Sequence, residues 1–336
     1  MARLLSICIP SLNRPALLRN AITSIRASKA SMEKIEVCIS NNCSEMDYAE
    51  VEAIIAEIGP SLNVSYVRQA ARLPLDEHMH YVKTMAAGQF IYFLGDDDFF
   101  LDDQIDLLIE FIEQKDPDLA IFNGKLVDGT GSYLGAHFSF PPREYLGLTD
   151  AFADLRDRGM FGAVLVRAEL LQDLDFRRLY GTSHAYGCFW LSLIRRHVAG
   201  VPVKIFVPEF PCVALRCAEK NYNHVLVYFR DIPYEFAVYK RFSEIDGLPL
   251  IADFERRQEK KTTSFRFFCA LSDLGSDLDS IRKINSKVYD DHRFKILAAK
   301  YFSASKTYRA IKVLYRSLIN RSRSSAKRLV VETDNG

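Results

Sequence analysis

The segment Gly95-Asp96-Asp97-Asp98 sets three successive carboxylates directly after Phe90–Leu94, an aromatic and fully apolar run. Such a run reads as a central strand buried on both faces, so the acids emerge at its carboxyl end. Like charges this close repel unless a cation or hydrogen-bond donors hold them. Hard oxygen ligands suit Mg²⁺ or Mn²⁺, which bridge phosphate oxygens and take up charge developing on a diphosphate leaving group. The alternative is a solvated turn or helix cap, with Asp102 and Asp103 as further surface charge; the Phe99-Phe100 pair that follows favours a partly buried loop. No GxGxxG or GxxxxGK[ST] run occurs, which argues against nicotinamide dehydrogenases and P-loop enzymes.

The elements that must position these acids are legible from periodicity. Leu4–Ile9 is a short strand stopped by Pro10, and Leu17, Leu18, Ala21, Ile22 and Ile25 recur at helical spacing after Asn13-Arg14-Pro15. A strand Ile35–Ile39 ends in the polar loop Ser40–Ser44; a helix from about Tyr48 to Ile58, a strand Val64–Arg68 and a helix from about Asp76 to Ala87 precede the acidic strand. A helix near Asp103–Gln114, a strand Leu119–Phe122, a loose stretch 124–147, a strand Gly162–Val166, helices around Ala168–Leu174 and Phe189–Val198, and a strand Val203–Val207 follow. Alternating strands and helices imply an α/β fold with a mostly parallel central sheet covered on both faces. In such sheets ligands bind at the carboxyl ends of the strands, where Pro10–Arg14, Ser40–Ser44 and Gly95–Asp98 gather. From about Tyr222 the chain reads as helical, with a soft boundary near residue 215 separating an α/β domain, 1–215, from a helical extension, 216–336.

Composition bounds the class. With 336 residues, 49% hydrophobic and 26% charged, the chain has enough apolar material for one large core or two smaller ones. Its cysteines form no CxxC pair and mostly sit in apolar runs, which points to reduced thiols in cytoplasm and to no zinc knuckle. No apolar stretch approaches the roughly eighteen residues that cross a bilayer, and no signal peptide is expected. Residues 293–328 hold eleven Lys/Arg and no acid, so an acidic body carries a basic tail.

The opening Ser6-Ile7-Cys8-Ile9-Pro10-Ser11-Leu12-Asn13-Arg14, the loop Ile39–Ser44 and the segment Gly88–Asp98 together resemble family 2 glycosyltransferases of the GT-A (nucleotide-diphospho-sugar transferase) fold. The likeness is specific over residues 3–115 and fades through about 210; within the family it suggests enzymes that use deoxysugars, such as abequosyl- or rhamnosyltransferases. It implies a nucleotide-sugar half at about 1–100 and an acceptor half at about 101–215. By resemblance, Asp96–Asp98 act as the DXD motif: Asp96 contacts ribose, Asp97 and Asp98 hold the cation, and Pro10, Ser11, Asn13, Arg14, Asn41 and Asn42 line the nucleotide. Asp76, and with it His78, could approach the donor sugar from the start of its helix. Two departures stand out. Asn41 and Asn42 replace acids, and since an amide donates or accepts, cytosine could be read as well as uracil or thymine; equally, each amide could hold its own turn. The family's acidic base is missing from Gly181–Trp190, leaving His184 as the titratable candidate near neutrality, unless it only bonds a neighbouring loop; Asp173 and Asp175 are fallbacks.

The resemblance therefore implies an inverting, metal-dependent transfer from a UDP-, CDP- or dTDP-sugar to a glycan or polyprenyl-diphosphate-linked acceptor in bacterial surface polysaccharide synthesis. The alternative is a degenerate GT-A domain that binds nucleotide sugar or serves as a scaffold. Arg216, Lys220, Asn221 and His224 could bind acceptor phosphate or be a solvated loop. In the tail, apolar and aromatic residues interleave with cations, which suits a helix on an anionic membrane surface, at the inner face of the cell membrane. A helix packed on the acidic body is the plainer alternative, and no motif supports a nucleic-acid partner.

Overall fold

The structure is a computed structural model that describes residues 3–26, 32–137, 140–156, 161–172, 176–216, 223–242 and 249–305. The chain forms two compact units: residues 1–221 with 234–254, and residues 222–233 with 255–336. The sequence boundary near 215 lies close to the first crossing, but the return of 234–254 to the first unit has no signature in the periodicity.

In the first unit, β1 (Leu5–Ser11), β2 (Ile35–Asn41), β3 (Asn63–Arg68) and β4 (Phe90–Phe93) run parallel, joined through α1 (Pro15–Arg26), α2 (Ala49–Ile58) and α3 (Leu75–Thr84). All four residues of β4 are buried, as a continuous apolar run covered on both faces should be, and all seven of β2 are buried too, its polar Glu36, Ser40 and Asn41 included. Then come β5 (Phe99–Phe100), α4 (Gln104–Lys115), β6 (Leu119–Ile121), β7 (Gly124–Val127), β8 (Tyr133–Ala136), β9 (Arg143–Tyr145), α5 (Leu148–Leu155), β10 (Val164–Arg167), α6 (Phe189–Val198), β11 (Ile205–Val207) and β12 (Val213–Arg216). The main sheet has the order β3-β2-β1-β4-β10-β6-β11-β9 and a second sheet the order β5-β12-β7-β8. β10 runs antiparallel to both neighbours and β9 antiparallel to β11, so the sheet is mixed: four parallel strands in the first half, and the parallel pair β6–β11 beyond β10. The stretch 124–147, read as loose, contains three short strands; the helix expected at 168–174 is a single tight 3-10 turn, Ala168–Leu171.

Two features fix where the acids emerge. The buried carboxylate of Glu36 accepts from the backbone N–H of Ala87 (2.6 Å) and Gly88 (3.1 Å) and from Ser6 Oγ (2.5 Å), clipping the turn before β4 onto β1 and β2. A Cβ on Gly88 would lie 2.7 Å from Ser6 Oγ, so only glycine lets the turn sit there. Beyond the acids, β5 pairs with β12 and ties the loop into the second sheet. Pro10 sits past Cys8↔Phe93, the last pair of the β1–β4 ladder, where its missing N–H breaks no ladder bond.

The second unit holds α7 (His224–Leu226), a π turn at 227–231, the start of α8 (Ile232–Phe242), most of α9 (Pro249–Thr262), α10 (Phe265–Asp273), α11 (Ser280–Ile284) and α12 (Ser286–Ala304). Its core is Val225, Phe229, Phe268, Leu271, Ile281 and Ile296. Among the described residues no helix is long and apolar enough to cross a membrane. Residues 306–328 of the basic tail lie outside the described residues, as do Asp173, Asp175, Lys220 and Asn221.

Candidate active site

The three loops expected at the carboxyl edge do converge there. Ser11 Oγ donates to Asp96 (2.9 Å), the Leu12 N–H reaches the same oxygen (3.3 Å), and Arg14 bridges Asp96 (3.1 Å) and Asp97 (2.8 Å) with one nitrogen. Tyr48, buried on the approach to α2, meets Ser11 Oγ at 2.8 Å and accepts from the Arg14 N–H, so it orients both partners of the acids. Burial pushes Asp96 up to about 6, against the pull of Arg14. Asp98 accepts from the Arg216 N–H at 2.9 Å; burial, then the adjacent charge of Asp97, holds it well above the ordinary carboxylate range. Such a group lacks positive charge and gains from a cation.

The residues present fit a divalent cation at Asp97 and Asp98. Asp97 is the more accessible of the Arg14-linked pair, with its side chain one-fifth exposed (21%) against 7% for Asp96. A Cβ on Gly95 or Gly162 would lie 2.7 or 2.6 Å from Asp98 Oδ2, so both glycines keep the space around that oxygen open. Among the described residues no three His, Cys, Asp or Glu side chains form a complete cage; a hard cation that takes its other ligands from phosphate and water needs none.

The polar loops serve mainly to hold one another. Asn41, fully buried, accepts from the Ser44 N–H (3.0 Å) and donates to Tyr66 (3.0 Å). Asn42 pairs with the backbone of Leu73 in both directions, at 2.8 and 2.9 Å. Asn13, left-handed at φ 55°, accepts from the Glu45 N–H, while its own N–H donates to Ser44. The turn-holding role describes these contacts, and Asn42 keeps one N–H and one lone pair unused by Leu73.

Asp76 and His78 are both buried. His78 Nε2 meets Ser40 Oγ at 2.9 Å, and burial lowers its pKa to about 4. Asp76 reaches across to the loop before α6, accepting from the backbone N–H of Ser183 (2.9 Å) and Ala185 (3.1 Å) on either side of His184. Its carboxylate therefore grips the loop of the candidate base. His80, on another face of α3, stacks on Phe176 and bonds Tyr180, so it shares no site with His78.

His184 itself lies 3.1 Å, Nδ1 to Oε1, from Glu235 on α8. Glu235 is 1% exposed and pairs through Oε2 with Arg156, which also donates to the Tyr239 hydroxyl at 2.8 Å. Burial, then the Arg156 charge, lowers His184 to about 4, so the ring is neutral at physiological pH. Two residues on, Tyr186 packs against Phe93 and Phe161 beside Gly162, linking this loop to the surroundings of Asp98.

The sequence profile of glycosyl transferase family 2 matches residues 6–173, half of the chain. The chain belongs to glycosyltransferase family 2. Among curated proteins, abequosyltransferase RfbV of Salmonella typhimurium is 27% identical to this glycosyltransferase over 208 residues, covering 56% of this chain and 61% of the relative. This chain thus spans about three-fifths of the length of that relative. Among solved structures, S. aureus TarS 1–349 in complex with UDP-GlcNAc superposes with a TM-score of 0.59 at 15% identity, over 91% of this chain and 92% of that one. The mannosyltransferase PcManGT of Pyrobaculum calidifontis, in complex with GDP-Man and Mn²⁺, gives 0.52 at 12% identity, over 90% and 87%. These likenesses establish the GT-A fold for this glycosyltransferase.

Four residues of the site lie outside any local pattern: Tyr48, Gly162, Arg156 and Glu235. Arg216, read as an acceptor-phosphate candidate or part of a solvated loop, instead turns its guanidinium to the carbonyls of Asp97 (3.2 Å) and Gly129 (2.6 Å) and stacks over Phe99. The alternation that marks β12 could have placed Arg216 beside the acids once its pairing with β5 was suspected. Nothing in the sequence near His184 points to α8.

Proposed function

We propose that this glycosyltransferase moves a sugar, with inversion, from a nucleotide-diphosphate donor to a hydroxyl of a glycan or lipid-linked glycan. The observation that carries the reading is the acid trio at the carboxyl edge of β4, two of its members buried, underbalanced by Arg14, with space kept open around Asp98. Asp97 and Asp98 would hold Mg²⁺ or Mn²⁺, which when bound neutralises charge on the departing diphosphate. Asp96, Ser11 and Arg14 form the polar wall for the ribose and diphosphate, with Pro10 and Asn13 shaping that loop. Asn42 has capacity left to read a pyrimidine edge, consistent with UDP, CDP or dTDP donors; RfbV being an abequosyltransferase supports a deoxysugar.

His184, neutral at physiological pH, takes the acceptor hydroxyl proton. The freed oxygen pair forms a bond to the anomeric carbon, and the bond to diphosphate breaks with its electron pair leaving on the phosphate oxygen. The acceptor side includes an anionic membrane surface, where lipid-linked glycans are presented at the inner face of the cell membrane. In support, α12 exposes Phe294 (85%), Leu297 (46%) and Tyr301 (76%) at helical spacing opposite buried Ile296 and Ala299. Lys295 and Lys300 on that helix already contact Thr263 and Asp279, so the aromatic stripe carries more of this support than those two charges.

The test is calorimetry of the full chain with UDP, CDP, dTDP and GDP, with and without Mn²⁺. Metal-dependent binding of one nucleotide that is lost in Asp98→Asn is the expected result. Binding of none would move the assignment to a domain that has lost catalysis.

A further inference from the structure

Glu235 lies in no motif, yet it is a carboxylate at 1% exposure. An ionised acid that deep is costly unless each oxygen is satisfied. Oε2 pairs with Arg156, whereas Oε1 stands 3.1 Å from Nδ1 of His184, within ion-pair reach but off hydrogen-bond alignment, so this oxygen and Nδ1 each still lack a hydrogen bond that a small turn of the ring would supply. Arg156 is held in turn by the Tyr239 hydroxyl and lies over the Tyr239 and Phe236 rings at 5.1 and 5.9 Å. Glu235, Phe236 and Tyr239 share one helix face, which presents an acid, a hydroxyl and two rings to these cationic and titratable partners.

We propose that Glu235 is the positioning residue for His184. It fixes the hydrogen of the neutral ring on Nδ1 and makes Nε2 the proton acceptor, in place of the acid this loop lacks. The inference rests on His184 acting as the base. A lone buried carboxylate beside an imidazole would draw a proton onto the ring before any substrate arrived. The Arg156 cation offsets that pull and leaves the base form in place. Arg156, Glu235 and Tyr186 face the ring, and Asp76 braces its backbone from both flanks.

When Nε2 accepts the proton of the acceptor O–H, the imidazolium carries a positive charge next to Glu235. The 3.1 Å ion-pair contact then tightens into a charge-assisted hydrogen bond. That gain arises only as the hydroxyl is deprotonated, so it lowers the barrier without strengthening donor binding. The proton passes from Nε2 to water after the product leaves, returning the neutral ring.

The experiment is ¹⁵N NMR of the histidine rings in the full chain, with His184→Gln to assign the signal, alongside nucleoside diphosphate release from UDP-N-acetylglucosamine, dTDP-rhamnose and CDP-glucose with Mn²⁺. In the wild type the ring hydrogen of His184 is expected on Nδ1. Glu235→Ala should lose that tautomer and about 100-fold in kcat, with the donor KM unchanged. Glu235→Gln, whose amide oxygen can still accept from Nδ1, should keep the tautomer and lose about tenfold, the share due to charge. It also serves if the alanine variant fails to fold. A hydrogen on Nε2 in the wild type, or normal kcat in Glu235→Ala while His184→Gln is impaired, overturns the proposal. Normal turnover in His184→Gln overturns the base reading itself, and the wild-type tautomer then still reports whether Glu235 orients the ring.

Discussion

Gly162→Ala tests whether the geometry around Asp98 controls the cation site. Gly162 has φ +94°, where an L side chain is strained by about 1–2 kcal/mol. Its new Cβ would lie 2.6 Å from Asp98 Oδ2 and 3.0 Å from Leu215 Cδ2. Ordinary contact between non-bonded heavy atoms needs about 3.5 Å, so the carboxyl must retreat by roughly 0.9 Å. Retreat also pulls the other carboxyl oxygen away from the Arg216 N–H, and a typical protein hydrogen bond contributes about 0.5–1.5 kcal/mol. The sum is a loss of about 1.5–3.5 kcal/mol in guanidinium unfolding, together with loss of Mn²⁺-dependent nucleotide binding in calorimetry. Gly147→Ala, where a Cβ meets nothing within 4 Å, is the control and should stay within about 0.5 kcal/mol of wild type. If Gly162→Ala unfolds within about 1 kcal/mol of wild type and keeps its metal dependence, the placement of Asp98 is wrong.

Three further outcomes follow from contacts already described. Asp76→Ala leaves two backbone N–H groups beside His184 without their acceptor, a cost of about 2–4 kcal/mol; hydrogen exchange at Ser183 and Ala185 should accelerate and kcat should fall more than KM rises, whereas unchanged exchange would contradict the clamp. His78 falls from an ordinary 6.5 to about 4 in the folded protein, so its contribution to stability is complete above pH 6.5 and is lost as pH drops toward 4. That interval is worth about 3 kcal/mol, and His78→Gln should show a correspondingly flatter acid limb in denaturant melts between those pH values. Replacing Phe294 and Tyr301 together by Ser should reduce flotation with phosphatidylglycerol vesicles while leaving the melting temperature unchanged, because both side chains are exposed; undiminished flotation would remove the aromatic stripe from the membrane reading.

The legible parts of this fold are those in which local pattern and tertiary role coincide. Phe90–Leu94 is apolar because β4 is covered on both faces, so strand, direction and emergent acids could all be read together. Asn41 and Asn42 are ambiguous for a physical reason: an amide that reads a base and one that holds a turn have the same side chain, and the partners Tyr66 and Leu73 that they contact are 25 and 31 residues away. Glu235 was invisible in the same sense, because its partners Arg156 and His184 lie on other elements and α8 shows only an ordinary amphipathic pattern. The inversion of β10 was hidden too, since its short apolar run, Val164–Val166, reads the same in both directions.

The path of the chain gives α8 a consequence in time. Glu235 is made about fifty residues after His184, and the intervening segment first contributes to the second unit before residue 234 returns to the first. At synthesis rates of about 5–20 residues per second, the imidazole waits on the order of 3–10 s for its carboxylate partner. During that interval the ribosome-bound chain already contains Asp96–Asp98 and His184 but not Glu235. The contacts of Glu235 with Arg156 and His184 therefore form only once α8 has emerged and packed, and a chain arrested at residue 221 would lack that carboxylate.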